Sequence, residues 1–443
     1  MMPASADTIY ALSSGALPAG VAIIRISGPA AFQAFVTLTG RDLPAPRQAV
    51  LCSIRNRNNE IIDQALMVVF PGPNSFTGEN CIEIHSHGSR AVVASIFAEL
   101  ELLEGFRPAD AGEFSRRAFE NGKMDLLEIE GLADLLQAET EMQRRLAVEQ
   151  STGKLSALYD GWAGRLTRAR ALIEAELDFA DEEDVPDSVA AQVWDAMMQL
   201  HSEITSHLQN GGSSEIIRDG FKVALIGEPN TGKSTLLNAL SGRDVAIVTD
   251  IAGTTRDVLS VDINLDGYLV RIFDTAGIRE TQDLVEKEGV RRAVLTAETA
   301  DLILILQDND STPKQSIISL ENARHLHLRT KTAISSSTVD AVFDLAISAR
   351  EGVGLDELRL LIKREIESRV GVAQTLVPAR ARHKKRLEET LNYVSDALNS
   401  ETMDLTIRSE YLRLAATSLG RITGRVDVED LLGVIFSEFC IGK

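Results

Sequence analysis

The sequence has few cysteines, few aromatic residues and no long uninterrupted apolar run. Its three cysteines, Cys52, Cys81 and Cys440, are too few and too scattered for a disulfide framework or a zinc knuckle. No stretch approaches the roughly 18 consecutive apolar residues that a membrane-spanning helix requires. The N-terminus has no basic segment followed by an apolar run, so it predicts no secretory signal. These absences favour a soluble protein of the reducing cytoplasm, without a membrane contact.

Positive charge is scarce relative to negative charge. Asp and Glu total 65 against 45 Lys and Arg, and the formal net charge is -20. A protein that binds a nucleic acid alone usually presents a basic face, because neutralising phosphates supplies much of the affinity. An RNA substrate would therefore require a basic partner or a small local basic patch. Length and composition otherwise indicate a globular protein of two or three domains.

Three short apolar segments near the N-terminus predict strands of an α+β domain. Residues 21–26 and 65–70 are each followed by glycine and proline, and residues 81–85 alternate between apolar and polar side chains. We assign residues 1–121 to this domain.

The periodicity changes to that of helices after about residue 124. Residues 181–186 are acidic, and residues 210–214, with the sequence NGGSS, predict a flexible break. Because an apolar stripe at helical spacing returns after residue 374, we predict a helical domain formed by residues 122–216 and 374–443. The two stripes before the break consist of Ile129, Leu132, Leu135 and Leu136, then Trp162, Leu166, Ala169, Ile173 and Leu177.

Residues 217–373 have another pattern and predict an inserted α/β domain. Apolar strands at 221–226, 269–273 and 302–306 alternate with helical segments such as 235–240. Such alternation is typical of a doubly wound, mostly parallel sheet. The predicted fold class is therefore multidomain, with α/β and all-α parts.

A phosphate-binding loop lies at residues 227–234, which read GEPNTGKS. This segment fits the pattern G-x-x-x-x-G-K-[ST] and falls between a predicted strand and a predicted helix. Its glycines let backbone N–H groups turn toward phosphates at the positive end of the helix. Lys233 is expected to reach the β- and γ-phosphates, and the Ser234 hydroxyl to bind magnesium. The predicted nucleotide contacts of the loop are Asn230, Thr231, Gly232, Lys233, Ser234 and Thr235.

Two further segments complete the pattern of a switch GTPase. Asp274 directly follows a predicted strand and opens the sequence DTAG, as a metal-holding carboxylate should. Between it and the loop lies TDIAGTT, residues 249–255. There a threonine, Thr255, can bind Mg²⁺ through its hydroxyl and orient the attacking water through its carbonyl. The predicted contacts are Thr249, Asp250, Ile251, Ala252, Gly253, Thr254, Thr255, Asp274, Thr275, Ala276 and Gly277.

Two positions depart from the usual GTPase pattern. Ile278 stands where Ras-like enzymes have a water-orienting glutamine. The nearest match to the guanine box Asn-Lys-x-Asp is TKTA, residues 330–333, so Ala333 stands where the carboxylate that reads the base should be. By analogy with other base readout, that contact is worth about 1–3 kcal/mol. Guanine selectivity is then blunted, or Asp340 compensates. The predicted contacts on the base side are Thr330, Lys331, Ser348, Ala349 and Arg350, the last three of which favour guanine over adenine.

The three GTPase segments resemble those of the TrmE–Era–Der class of GTPases. Four further segments narrow the resemblance to the MnmE (TrmE) family: FTGE at 76–79, GEFSRRAF at 112–119, NGK at 121–123 and FCIGK at 439–443. It spans essentially the whole chain. The resemblance implies a GTPase that forms homodimers through its G domains. It also implies a heterotetramer with the FAD protein MnmG, which installs an aminomethyl-type modification on carbon 5 of the wobble uridine of certain tRNAs with a tetrahydrofolate one-carbon unit.

The same resemblance assigns roles that the residues alone do not. It implies potassium-stimulated hydrolysis, with Asn230, Thr249, Ile251 and Thr254 around the K⁺ ion. A monovalent cation beside the β- and γ-phosphates would supply the charge that an arginine finger supplies elsewhere. Glu286 matches the family's catalytic glutamate, which acts indirectly on the attacking water.

The N-terminal domain resembles folate-binding domains of one-carbon enzymes. By matching position, the contacts of 5-formyl- or methylene-tetrahydrofolate would be Arg25, Glu83, Lys123 and Lys443.

Cys440 is either a nucleophile in the chemistry or a buried, inert thiol. His85 and His87 lie on one face of a strand, and we interpret them as structural or folate-site residues because no third metal ligand is spaced near them.

Two other functions stay open at this level. One is a switch GTPase of the ribosome-assembly type, without modification chemistry of its own. The other is a folate enzyme with a regulatory GTPase insert, which predicts one-carbon turnover without a flavoprotein.

Overall fold

The computed structural model describes residues 7–178, 189–228, 230–243, 260–274, 299–308, 324–331, 343–371, 377–399 and 404–426, together with Leu432, Ile435, Phe439 and Gly442. Its contacts divide the chain into two compact units. The first comprises Met1–Ala133, Ser151–Gly164 and Ala416–Lys443, and the second comprises Asp134–Gln150 and Arg165–Ala415.

The first unit contains a six-stranded sheet in the order β3-β4-β5-β2-β1-β6. Its pairs are antiparallel except for the outer pair β1–β6, which is parallel. The three strands predicted from the sequence are confirmed as β2, β4 and β5. The six strands are β1 Thr8–Leu12, β2 Ala19–Ser27, β3 Val50–Arg55, β4 Ile61–Phe70, β5 Cys81–Gly88 and β6 Phe106–Pro108.

Period-two alternation places the core of the first unit on one face of this sheet. Ile24 and Ile26 of β2 and Ile82 of β5 are fully buried in one cluster with helices α1 (Ala31–Thr39) and α2 (Arg90–Glu101). Residues of β2 that point to the other face, such as Arg25, are then available for a site.

Helix α3 (Glu113–Glu120) contributes Phe114 to a small cluster with Ile9 of β1. Helix α4 (Leu126–Gln137) follows and begins the predicted helical region. Its buried Leu126 and Ile129 pack in one cluster with Phe439 near the chain end. The C-terminal segment is thus part of the core of this unit.

The second unit contains a six-stranded sheet in the order β12-β11-β10-β7-β9-β8. All its pairs are parallel except β8–β9, which confirms the predicted mostly parallel sheet. Helices α9 (Lys233–Arg243) and α10 (Leu355–Val370) pack on it through one large apolar cluster. The strands are β7 Phe221–Gly227, β8 Ser260–Leu265, β9 Tyr268–Asp274, β10 Leu302–Asp308, β11 Arg324–Thr330 and β12 Leu345–Ala346.

The remaining helices confirm most of the second helical stripe of the sequence, whereas the first is buried only in part, since Leu136 of α4 is 49% exposed. Trp162, Leu166 and Ile173 are buried, but Leu177 is 36% exposed, so the stripe ends one turn earlier than predicted. These helices are α5 Glu141–Ser151, α6 Lys154–Asp178, α7 Val189–Gln209, α8 Gly212–Asp219, α11 Ala381–Asn399 and α12 Leu405–Thr423. Within the described ranges, no helix is both long and apolar enough to cross a membrane.

The break predicted at residues 210–214 is a packed turn rather than a flexible segment. Helix α7 ends at Gln209 and α8 already begins at Gly212. The hydroxyl of Ser214 is buried and donates to the carbonyl oxygen of Pro378 at 2.8 Å. A Cβ on Gly211 would lie 2.9 Å from Pro378 Cγ. Glycine is therefore required here by a close approach of the chain.

His207 of helix α7 makes the second unit sensitive to acid. Burial, with a smaller contribution from His383, lowers its pKa from 6.5 to about 4. The folded state favours the neutral form of His207. Its contribution to the free energy of unfolding is therefore complete above pH 6.5 and is lost as the pH falls toward 4. We expect the free energy of unfolding to fall by about 2–3 kcal/mol over this window.

Urea unfolding of the wild type and of His207→Gln between pH 7.5 and 4.5 measures this contribution. The variant should lose less stability over the same window. Parallel pH profiles for the two proteins would show that His207 does not cause the acid sensitivity.

Candidate functional site

The loop between β7 and α9 has a backbone suited to binding phosphates. Asn230 and Gly232 have positive φ values of 64° and 94°, in or near the left-handed region, which turn loop N–H groups inward. A Cβ on Gly227 would lie 2.5 Å from the carbonyl oxygen of Leu306, so only glycine fits at the strand end. Thr231 is buried and donates its hydroxyl to the Glu228 carbonyl at 2.8 Å, which fixes the turn.

Lys233 lies folded over this loop. Its Nζ donates to the carbonyl oxygens of Gly227 at 2.7 Å and Glu228 at 2.8 Å, and the residue is only 5% exposed. Burial lowers the pKa of Lys233, while the negative charge of Asp274 offsets part of this effect. The ammonium group is therefore positioned at the loop itself, where a β- or γ-phosphate would lie.

Ser234 and Asp274 form a pair that fits a magnesium site. The Ser234 hydroxyl donates to Asp274 Oδ2 at 2.9 Å, and Asp274 is 2% exposed at the end of β9. Mg²⁺ is usually held by one or two such oxygen groups together with water and substrate phosphates. Among the described residues no group of three His, Cys, Asp or Glu could hold a metal by itself. The residues present thus fit an ion shared with a nucleotide.

The predicted base-side residues follow the same edge of the sheet. Thr330 ends β11, is 4% exposed and donates its hydroxyl to the carbonyl oxygen of Gln307 at 3.1 Å. Lys331 has a φ of 58°, and its Nζ is 2.5 Å from Asp308 Oδ2. Ser348 pairs with Val353 in a turn after β12 that also contains Ala349 and Arg350. Since these strands are parallel, all these residues lie at their carboxyl ends.

A second candidate site lies on the sheet face of the first unit opposite its main core. Arg25 and Glu83 are direct neighbours on β2 and β5, and Arg25 donates to Glu83 Oε1 from Nη2 at 2.9 Å. The guanidinium lies 5.0 Å from the ring centroid of Phe76 and 5.8 Å from that of Phe114. His85 Nε2 is 3.4 Å from Glu83 Oε2. The ion pair offers charge, and the partly exposed Phe76 ring can offer a stacking surface, whereas Phe114 is fully buried.

Lys123 adjoins the loop that contains Phe76. A Cβ on Gly78 of this loop would lie 3.2 Å from Lys123 Cγ. Asn121 donates its side-chain amide to the Thr77 carbonyl at 2.7 Å. The structure therefore places Arg25 and Lys123 against the same loop.

Sequence reasoning missed the charged residues beneath this loop. Arg117 is 3% exposed and donates to Asp7 Oδ1 at 2.8 Å, Glu113 Oε1 at 3.1 Å and Glu79 Oε2 at 3.3 Å. Ser27 also donates its hydroxyl to Glu79 Oε2, at 2.7 Å. The segment 112–119 served only as a family signature in the sequence, although its buried arginine supports the site.

The two histidines on β5 have separate carboxylate partners. His87 Nδ1 is 2.8 Å from Asp63 Oδ1, whereas His85 faces Glu83. Together with the absence of a three-ligand group among the described residues, these contacts agree with a structural or site-lining role.

Comparisons with known proteins agree with this arrangement. The model of the GTP-binding protein TrmE N-terminus matches residues 8–123, and that of the MnmE helical domain matches residues 126–440. The tRNA modification GTPase MnmE of Agrobacterium fabrum is 85% identical over 442 residues, which cover 100% of both chains. The chain belongs to the MnmE family.

Two further matches are more distant. The tRNA modification GTPase MnmE of Rhizobium etli is 56% identical over 440 residues, which cover 99% of each chain. Among solved structures, the G domain of the T. maritima FeoB iron transporter covers 34% of this chain and 98% of its own. Its sequence identity is 27%, and its TM-score is 0.24.

Several residues that the GTPase pattern or the MnmE resemblance assigns lie outside the described residues, so their roles remain predictions. The same holds for the departures from the GTPase pattern at Ile278 and Ala333, and for Asp340. The assigned residues are Thr249, Asp250, Ile251, Ala252, Gly253, Thr254, Thr255, Thr275, Ala276, Gly277, Glu286, Cys440 and Lys443.

Gly442, which belongs to the C-terminal segment of the MnmE signature, lies against the end of β1. Gly442 has a φ of 102°, and its carbonyl oxygen accepts a 2.7 Å hydrogen bond from the Ser13 hydroxyl. A Cβ on Gly442 would collide with the carbonyl oxygen of Leu12. Phe439, on the other side of Cys440, is buried. The tail is thus fixed on both sides of the cysteine.

We expect Gly442→Ala to release this tail, because both the positive φ and the close approach exclude a side chain. Carboxypeptidase digestion followed by mass spectrometry should show faster removal of the last residues than in the wild type. Gly15→Ala is the matched control, since a Cβ there meets nothing within 4 Å. Equal digestion of all three proteins would contradict the described contact.

Proposed function

We propose that this chain hydrolyses GTP and that hydrolysis serves the modification of the wobble uridine of tRNA. The observation that best supports hydrolysis is the contact of Ser234 with Asp274 beside Lys233 on the phosphate loop. Membership in a family whose curated members are named tRNA modification GTPases supports the substrate. The domain limits that we propose are 1–121, 217–373, and the helical pair 122–216 and 374–443.

The proposed reaction is an in-line displacement on the γ-phosphorus. A water oxygen bonds to the γ-phosphorus, the bond to the β–γ bridging oxygen breaks, and the proton lost by water ends on the released phosphate. Loop amides and Lys233 neutralise the charge that develops on the phosphate oxygens. Ser234 and Thr255 would hold Mg²⁺, which adds positive charge there. Thr255 would orient the water through its carbonyl, with Glu286 acting on it indirectly.

A potassium ion is the second cation in this proposal. Asn230 is exposed in the loop and has a positive φ of 64°. Together with Thr249, Ile251 and Thr254 it would hold K⁺ beside the β- and γ-phosphates. GTP turnover should rise sharply when sodium is replaced by potassium, and should lose this response in Asn230→Ala. Equal turnover in both salts would exclude the cation site.

The N-terminal site is proposed to bind 5-formyl- or methylene-tetrahydrofolate. Glu83 can pair with the pterin amide and amine, and Arg25 orients this carboxylate through their ion pair. Lys123 and Lys443 suit the anionic glutamate tail. The partly exposed Phe76 ring beside Arg25 suits a planar ligand. Cys440, next to the fixed Gly442, would either take part in the transfer or be structural.

The proposed assembly is a homodimer in a heterotetramer with the flavoprotein MnmG in the cytoplasm. A partner that contacts the RNA resolves the conflict between a tRNA substrate and a net charge of -20. Reconstitution tests the whole proposal. The purified chain, MnmG, GTP, Mg²⁺, potassium, a one-carbon folate and ammonium as the nitrogen donor should together modify tRNA, and omission of the chain, MnmG, GTP or the folate should abolish product.

The two other functions give different results in this assay. A ribosome-assembly switch would hydrolyse GTP and leave tRNA unchanged under every condition. A folate enzyme with a regulatory insert would turn over the one-carbon unit when MnmG is omitted.

A further inference from the structure

We propose that Asp308 is a positioning residue for the nucleotide base, and that it acts by holding Lys331. The inference rests on the proposed binding of GTP to the second unit. Asp308 belongs to none of the sequence motifs, and no role has been assigned to it so far. Three observations support the role: the position of Asp308, its contact with Lys331, and the replacement of the usual base-reading carboxylate by Ala333.

Asp308 lies between the phosphate loop and the base-side residues. Strand β10 is flanked by β7 and β11, and all three run parallel. In the register of these strands, Leu306 is opposite Gly227, where the phosphate loop begins, and Asp308 is opposite Thr330. A carboxylate at the end of β10 therefore lies at the edge of the sheet where parallel α/β folds bind ligands.

The contact with Lys331 fixes a side chain that would otherwise be free to move. The Nζ of Lys331 is 2.5 Å from Asp308 Oδ2, while the Lys331 side chain is 53% exposed. A lysine held only at its charged end presents its methylene stem to the surroundings. Such a stem is a flat apolar surface on which a planar purine can stack.

Among the residues that the structure describes at this edge, the other groups offer the base little to contact. Thr330 is 4% exposed, and its hydroxyl is directed to the carbonyl of Gln307 rather than to a ligand. In the sequence, Ala333 brings no carboxylate to read the guanine N–H groups. Among the described base-side residues, the ordered stem of Lys331 is thus the feature best suited to a base.

Loss of the ion pair between Asp308 and Lys331 is expected to weaken nucleotide binding without changing the chemical step. An exposed ion pair of this kind is worth about 0.2–1 kcal/mol, so the dissociation constant of GDP should rise by at most about fivefold. In hydrolysis the KM for GTP should rise by the same factor, while kcat stays unchanged, because Asp308 does not act on the γ-phosphate.

A double-mutant cycle with Asp308→Asn and Lys331→Met tests the inference. Lys331→Met keeps an apolar stem but removes the ammonium. If Asp308 acts through Lys331, each single variant should weaken GDP binding by about the same factor, and the double variant should be no weaker than either. Asp308→Glu should recover part of the affinity. Asp266→Asn is the matched control, because it breaks a similar exposed pair with Lys363, 2.6 Å in length, at the opposite end of the sheet.

The outcomes separate this inference from the proposed function. A wild type that binds neither GDP nor GTP would overturn the proposed function and the inference with it. Normal binding by the wild type and equally by Asp308→Asn would overturn the inference alone. The inference would also be overturned if the fold-changes in the GDP dissociation constant of the two single variants multiplied in the double variant. Asp308 would then act independently of Lys331.

Discussion

Replacement of Lys233 by alanine is expected to lower kcat for GTP hydrolysis by about 10²–10³-fold, the usual cost of removing one preorganised donor to a developing negative charge. The ammonium group is already held against the loop by two backbone carbonyls and is almost fully buried, so the protein keeps it in place before substrate arrives. Binding of GDP should weaken less, because the α-phosphate and the base keep their contacts.

Steady-state release of phosphate measures this effect. Lys222→Ala is the control, since it removes a lysine from the start of β7, the end of that strand remote from the loop. A Lys233→Ala variant with near wild-type kcat would show that the phosphate loop is not the catalytic centre. An equal fall in kcat in Lys233→Ala and Lys222→Ala would show that the fall reflects lower stability of the protein rather than a catalytic role of Lys233.

The second large effect is expected from Arg117→Met, which removes a buried guanidinium from three carboxylates. Breaking one partner of a buried ion pair typically costs about 3–5 kcal/mol. Arg107 still contacts Asp7 and Glu113 after the substitution, so most of the cost falls on Glu79, whose side chain is 13% exposed, and we expect the lower part of this range. Burial raises the pKa of Glu113, but hydrogen bonds from Arg107 and Arg117 outweigh it, and the net shift is downward. Removing Arg117 therefore also removes one of the hydrogen bonds that keep the Glu113 carboxylate ionised.

Hydrogen exchange of the β1 and β2 amides reports the stability of this sheet directly. Arg116→Ala is a matched control on the same helix, because its exposed pair with Glu120 four residues away is worth about 0.3–0.5 kcal/mol. Arg117→Met should accelerate exchange far more than Arg116→Ala. Similar exchange in both variants would contradict a stabilising role for the buried network.

The sequence was most informative where a structural feature depends on neighbouring residues. The phosphate loop, strands β7, β9 and β10, and the parallel sheet follow from local hydrophobic runs and a spaced motif. The pairing of Arg25 with Glu83 was not predictable in this way, because it joins strands 58 residues apart. Only the resemblance to a family brought those two residues together.

Other features were missed because they depend on tertiary contacts. The glycines at 211 and 212 suggested flexibility, although the approach of Pro378, more than 160 residues away in the sequence, is what requires one of them. Asp308 follows an ordinary apolar strand, so only the register of β10 with β7 and β11 shows its place near the nucleotide. Short edge strands such as β6 and β12 had too few residues to produce a pattern.

The most direct test of the central claim is mass spectrometry of the tRNA nucleosides from a deletion strain complemented with this chain or with Lys233→Ala. The account predicts that the wild-type chain restores the modified wobble uridine and that Lys233→Ala, present at the same level, does not. An unchanged wobble uridine in the deletion strain, or full restoration by Lys233→Ala, would contradict a tRNA modification driven by GTP hydrolysis.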